Sequence, residues 1–162
     1  MKFLFLDVDG VLNDHRRWSS RYSPILYDRV EILNTIFEEV PDLHIVLSSA
    51  WRYTFDNANS VQHLLMCHGF DHYGHVHGVT CKDEEIHTGK MPACDDIEGW
   101  KNHGLIWRVM QIQKYLEQYP VNQYVVLDDL SLNIPNLVQT DPTVGLTQSD
   151  AQKAIEILKC YS

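Results

Sequence analysis

Three short apolar runs in this chain stop abruptly at polar residues. Lys2-Phe3-Leu4-Phe5-Leu6 ends at Asp7-Val8-Asp9-Gly10, Leu43-His44-Ile45-Val46-Leu47 ends at Ser48-Ser49, and Gln123-Tyr124-Val125-Val126-Leu127 ends at Asp128-Asp129. Five-residue runs rich in Phe, Leu, Ile and Val and closed by turn formers predict buried strands. The intervening pattern is helical. Residues 26–40 place Val30, Leu33, Ile36 and Phe37 on one face and end before Pro41. Residues 60–68 predict a helix stopped by Gly69, and residues 75–80 a short strand. Leu105, Val109, Ile112, Tyr115 and Leu116 share a face of a helix over 105–118 that Pro120 closes. Residues 137–139 predict a last short strand. Thr147-x-x-Asp150, a capping-box variant, opens a helix over 151–158. Strands and helices that alternate in this way predict an α/β fold, a mostly parallel sheet with helices on both faces. With 162 residues and no repeat or linker, a single domain with its own core is expected.

The strand ends carry the chemistry. Asp7 and Asp9 would share a face only if the backbone stayed extended past Leu6, and Gly10 predicts that it turns instead. Carboxylates gathered at the ends of two buried strands repel one another in a low dielectric unless a cation or a shared proton intervenes. Hard oxygen donors without His or Cys favour Mg²⁺. Ser48-Ser49-Ala50-Trp51-Arg52 offers hydroxyls, backbone amides and a guanidinium at a strand-to-helix turn, which suits an anionic oxygen such as that of a phosphate.

Composition narrows the partners. A net charge of −9 argues against general nucleic-acid binding, which depends on neutralising phosphates. It leaves room for a local basic rim from His15, Arg16, Arg17 and Arg21, or for the same residues as a solvated loop. Cys67, Cys81, Cys94 and Cys160 show no CxxC spacing, so reduced thiols are expected. Phe3–Leu6 is too short for a signal peptide or a membrane span, and a cytoplasmic protein is the default. His68, His72, His75 and His77 near Cys81 raise the question of zinc, but match no common zinc spacing. Trp18 and Tyr22 could stack on a base or simply pack.

Asp7-Val8-Asp9-Gly10-Val11, Leu47-Ser48-Ser49 and Leu127-Asp128-Asp129, in this order after apolar strands, resemble motifs I, II and IV of the haloacid dehalogenase-like (HAD) phosphohydrolases. Leu47–Arg52, Val126–Asp129 and Thr140–Thr147 resemble more narrowly the small HAD domain of Swiss army knife RNA-repair proteins. The resemblance runs from Lys2 to about Leu158. It implies a Rossmann-like HAD fold, with residues 14–27 as a flap over the site. Residues 82–103 are expected to be an irregular insertion, too short for a folded cap, so the cap is minimal or absent.

By this resemblance Asp7 is the nucleophile that takes a phosphoryl group as an aspartyl-phosphate, and Asp9 the general acid and base. Mg²⁺ is implied on the Asp7 side chain, the Asp9 carbonyl, Asp128 and Asp129. Ser48 and the Ser49 amide are implied to bind phosphoryl oxygens. The motif III lysine of HAD proteins has no obvious counterpart. Arg108, twenty residues before Asp128 and placed near the start of its helix, is the first choice, and Lys101 and Lys90 are rivals. Arginine brings the option of bidentate phosphate binding. Arg52 either assists the phosphate or salt-bridges on the surface. The implied activity is hydrolysis of a phosphomonoester, either a phosphorylated small molecule or a nucleotide or nucleic-acid end. A phosphotransferase using the same residues and a non-catalytic phosphate-sensing scaffold are the alternatives. Nothing in the sequence fixes the oligomeric state.

Overall fold

The computed structural model describes residues 1–14, 24–82, 96–121 and 123–160. Five strands, β1 (Lys2–Leu6), β2 (Leu43–Leu47), β3 (Val76–Val79), β4 (Tyr124–Asp128) and β5 (Leu137–Gln139), form one sheet in the order β3-β2-β1-β4-β5. Every pairing is parallel. Four helices connect them: α1 (Tyr27–Glu39), α2 (Ala58–Met66), α3 (Ile97–Gln118) and α4 (Gln148–Lys159), with a 3₁₀ turn at Ala50–Tyr53. This is the α/β, Rossmann-like arrangement expected. Among the described residues no helix is long and apolar enough to cross a membrane.

Alternation along β1 explains the two layers. Leu4 and Leu6 point into a core built with Val30, Leu33 and Phe37 of α1, Val61 and Leu65 of α2, and Ala154 and Leu158 of α4. Phe3 and Phe5 point the other way, against Ile112 and Tyr115 of α3. A strand buried on both faces reads as continuous apolar sequence, which is why residues 3–6 are all apolar. Full burial of each phenylalanine contributes about 2–3 kcal/mol. On the second face, α3 is thus the helix that reaches the sheet.

The elements match the sequence pattern except around α3. The helix begins at Ile97, not at Leu105, because Asp96 caps it: its carboxylate accepts the Gly99 N–H at 2.8 Å. Residues 97–103, expected to be part of an irregular insertion, are therefore helical, and Arg108 lies mid-helix instead of near the start. Gly99 and Gly104 hid this, since both weaken helix propensity. Residues 15–23 of the flap expected over 14–27, the remaining insertion over 83–95, and with them His15, Arg16, Arg17, Trp18, Arg21, Tyr22, Lys90 and Cys94, lie outside the described residues. Helix α4 opens on the capping box, with Thr147 and Asp150 each accepting from the other's backbone N–H.

Candidate active site

The chain runs outward from β1 to β2 and β3, then crosses back to β4 and β5. The order reverses between β1 and β4, and open parallel sheets bind ligands at the carboxyl ends of the strands at such a point. Asp7 follows β1 and continues its ladder, its N–H donating to the Leu127 carbonyl at 2.9 Å. Asp128 is the last residue of β4 and is fully buried. Asp7, Asp128 and Asp129 each offer a carboxylate oxygen, and these oxygens lie within 4.8 Å of one another.

Arg108 enters from the face covered by α3. Its Nη1 lies 3.2 Å from Asp7 Oδ2 and 2.7 Å from Asp128 Oδ2, and donates also to the Ser48 carbonyl. Three acceptors converge on one nitrogen that carries two hydrogens, so toward the two carboxylates the guanidinium acts as a point charge. Of the basic rivals, Lys101 is exposed on α3. Burial works against the charge on Arg108, but Asp7 and Asp128 outweigh it and hold its pKa above the ordinary value. Burial pushes Asp128 up to about 7; repulsion from Asp7 adds to this, and the Arg108 charge and the Leu130 N–H oppose it. Arg108 pairs with two of the three carboxylates, Asp7 and Asp128. Hard oxygen donors at this spacing fit a divalent cation, which would also let an anionic substrate approach.

The turn after β1 is shaped by Gly10. Its φ of +76° suits glycine, and a Cβ there would stand 2.7 Å from Asp129 Cγ, so the missing side chain lets the Asp129 carboxylate close on the loop. Thr140 Oγ1 donates to the Gly10 carbonyl at 2.7 Å. Leu146 N–H donates to the Val11 carbonyl at 2.7 Å. The Thr140–Thr147 segment is therefore a brace for the loop that follows β1.

Asp9 is turned away from the other three acids. Its Oδ1 accepts from Asn13 Nδ2 at 2.9 Å and its Oδ2 from the Trp51 indole N–H at 3.1 Å. Ser48 is buried, and its Oγ has no hydrogen-bond partner among the described residues. Ser49 caps the 3₁₀ turn, its Oγ accepting from Trp51 N–H at 3.4 Å. Arg52 is buried, not at the surface: its Nη1 donates to the Ser49 carbonyl at 2.6 Å, and its Cζ stacks 5.0 Å from the Tyr53 ring centre. The same Ser49 carbonyl accepts the Arg52 backbone N–H at 3.1 Å, so the guanidinium adds a second donor to it and stiffens the turn.

Asn13, Trp51 and Thr140 had no assigned role in the sequence. Each lies within a motif already singled out, but only the folded chain shows what its donor meets. The rings of His44, His72, His75 and His77 contact one another, but each has a polar partner of its own. Nδ1 of His75 donates to the Leu43 carbonyl at 2.8 Å, Nδ1 of His77 meets Tyr115 Oη at 2.7 Å, and Nδ1 of His68 donates to the Leu64 carbonyl at 2.8 Å. Among the described residues, the carboxylates of Asp7, Asp128 and Asp129 form the one group of three potential metal ligands that converges.

No curated protein and no solved structure matches the chain. The model of one family does match, over residues 3–151, a span that takes in all five strands and both clusters of acids. The chain belongs to that family, the HAD domain in Swiss Army Knife RNA repair proteins.

Proposed function

We propose that this domain is a Mg²⁺-dependent phosphatase that hydrolyses a phosphomonoester through an aspartyl-phosphate on Asp7. The observation that carries the reading is the meeting, at the reversal of strand order, of a buried Asp7 tied to Arg108, two further carboxylates and Ser48, whose carbonyl accepts from Arg108 and whose buried hydroxyl has no partner among the described residues. A carboxylate is ionised at neutral pH and attacks without a base to activate it. Asp7 has one oxygen on the Val8 N–H at 2.8 Å and the other on Arg108, which fixes its plane.

In the first step an Asp7 oxygen bonds to phosphorus, the bond to the leaving oxygen breaks, and Asp9 gives that oxygen its proton. In the second, water attacks the phosphorus while Asp9 takes the proton, releasing inorganic phosphate and the free Asp7 carboxylate. Ser48 O–H and the Ser49 amide bind phosphoryl oxygens, and Arg108 balances charge on Asp7. Asp7, the Asp9 carbonyl, Asp128 and Asp129 are the residues that would hold Mg²⁺. When bound, the ion supplies charge neutralisation between nucleophile and phosphate.

The family's association with RNA repair supports a nucleotide or nucleic-acid end as substrate. The net charge of −9 supports recognition of an end and not a grip along a strand. The test is hydrolysis of an aryl phosphate by the wild type and Asp7→Asn, each with Mg²⁺ and with EDTA. Turnover is expected only from wild type with Mg²⁺. Full activity in Asp7→Asn or in EDTA, or no Mg²⁺ binding by calorimetry, would remove the proposal.

A further inference from the structure

We propose that Trp51 is a positioning residue for Asp9, and that it ties the general acid to the phosphate-binding turn in one rigid frame. The inference rests on the phosphatase reading and concerns which residue aims its proton. Both Asp9 oxygens are held, Oδ1 by Asn13 Nδ2 at 2.9 Å and Oδ2 by Trp51 Nε1 at 3.1 Å. The Asn13 amide has one workable orientation, because its Oδ1 accepts the Gly10 N–H at 2.9 Å and reversal would set two donors face to face.

Trp51 is a donor only. It cannot accept the proton that Asp9 passes on, so it fixes the direction of the carboxyl without competing for its chemistry. Each oxygen keeps a second lone-pair site for that proton. Trp51 also belongs to the turn that follows Ser48. Its backbone N–H donates to Ser49 Oγ, and its ring stacks on Phe55 with centres 6.0 Å apart and planes at 19°. A phosphate on Ser48 and Ser49 and the proton on Asp9 are thereby registered through one side chain, and alignment of this kind is a large part of catalysis. The competing explanation is that Trp51 merely packs.

The two separate by leaving group. A protonated acid matters when the departing oxygen is a basic alkoxide and hardly matters for dinitrophenolate. The experiment measures kcat/KM for an alkyl phosphate and for 2,4-dinitrophenyl phosphate, comparing wild type, Trp51→Phe and Asp9→Asn. This parameter covers transfer to Asp7 and omits the hydrolysis common to both substrates. Trp51→Phe should lose about 10- to 30-fold on the alkyl ester and less than about threefold on the dinitrophenyl ester, a fraction of the 10²–10⁴ available to general acid catalysis. Asp9→Asn should show the same signature, enlarged. Equal losses on both substrates, or no loss on either, would overturn the positioning role while leaving the phosphatase reading intact. Wild-type inactivity toward both esters would remove the phosphatase reading and this inference with it. Should Trp51→Phe fail to fold, benzothienylalanine at position 51 keeps the bicyclic shape and lacks only the N–H. The same outcomes then apply.

Discussion

Replacing Arg108 with methionine keeps a stem of similar bulk and removes the one cation between Asp7 and Asp128. The ionic contacts at 3.2 and 2.7 Å and the bond to the Ser48 carbonyl are all lost, and the carboxylates stay where they are. Removing one partner of a buried pair costs about 3–5 kcal/mol, because the remaining charge has nothing to face. The loss should depend on pH. Asp128 has a native pKa of about 7 against an unfolded value of 3.8. A carboxyl raised in this way contributes stability that is fully present below the unfolded value and is lost as pH rises through the folded value, on the order of 4 kcal/mol in all. Without Arg108 the native pKa rises further, so the loss continues to higher pH. Urea unfolding followed by circular dichroism, in EDTA, should therefore show the variant about 3–5 kcal/mol less stable than wild type near pH 8, narrowing to about 1–2 kcal/mol near pH 5. Saturating Mg²⁺ should close much of the gap at the higher pH. Arg108→Lys should recover more than half of the loss, because an ammonium has three hydrogens for the three acceptors, though its stem is one bond shorter. A difference that does not change with pH, or one below about 1 kcal/mol near pH 8, would refute the idea that Arg108 is the internal counter-ion.

Ser48→Ala should leave the melting temperature unchanged or slightly raised, because it removes a buried hydroxyl that has no partner, while KM for an aryl phosphate rises about tenfold through loss of a bond to a charged group. Gly10→Ala should cost about 2–4 kcal/mol in urea unfolding, combining strain at φ +76° with a Cβ driven against Asp129, and should weaken Mg²⁺ binding in calorimetry; unaltered metal affinity would count against Asp129 as a ligand.

Much of the fold was legible because its signals are local. The Leu43–Leu47 strand is apolar at four of five positions and lies between Pro41 and Ser48, and its observed bounds are those of the run. The Thr147-x-x-Asp150 pattern marks a helix start through bonds made within four residues. The start of α3 was hidden because Gly99 and Gly104 are local signals that point to a loop, whereas the Asp96 cap opens the helix and packing of Ile112 and Tyr115 with Phe3 and Phe5 holds it further along. In the site, the acids showed themselves by ending apolar strands. What Arg108, Arg52 and Trp51 do there could not be read. Arg108 reaches Asp7 across 101 positions and Trp51 reaches Asp9 across 42, and no periodicity encodes such meetings. Residue type does not tell that three acceptors converge on one Nη of Arg108.

The place of β1 in the middle of the sheet has a consequence for biosynthesis. β1 pairs with β2 on one side, Phe3 opposite His44, and with β4 on the other, Phe3 opposite Tyr124. A ribosome adding about 5–20 residues per second delivers β4 roughly 6–24 s after β1, so for that interval the central strand carries one unsatisfied edge. Nascent chains stalled before residue 124 should thus be prime clients for chaperones that bind extended hydrophobic segments, and arrival of β4 is the event that both buries β1 and brings Asp128 to Asp7.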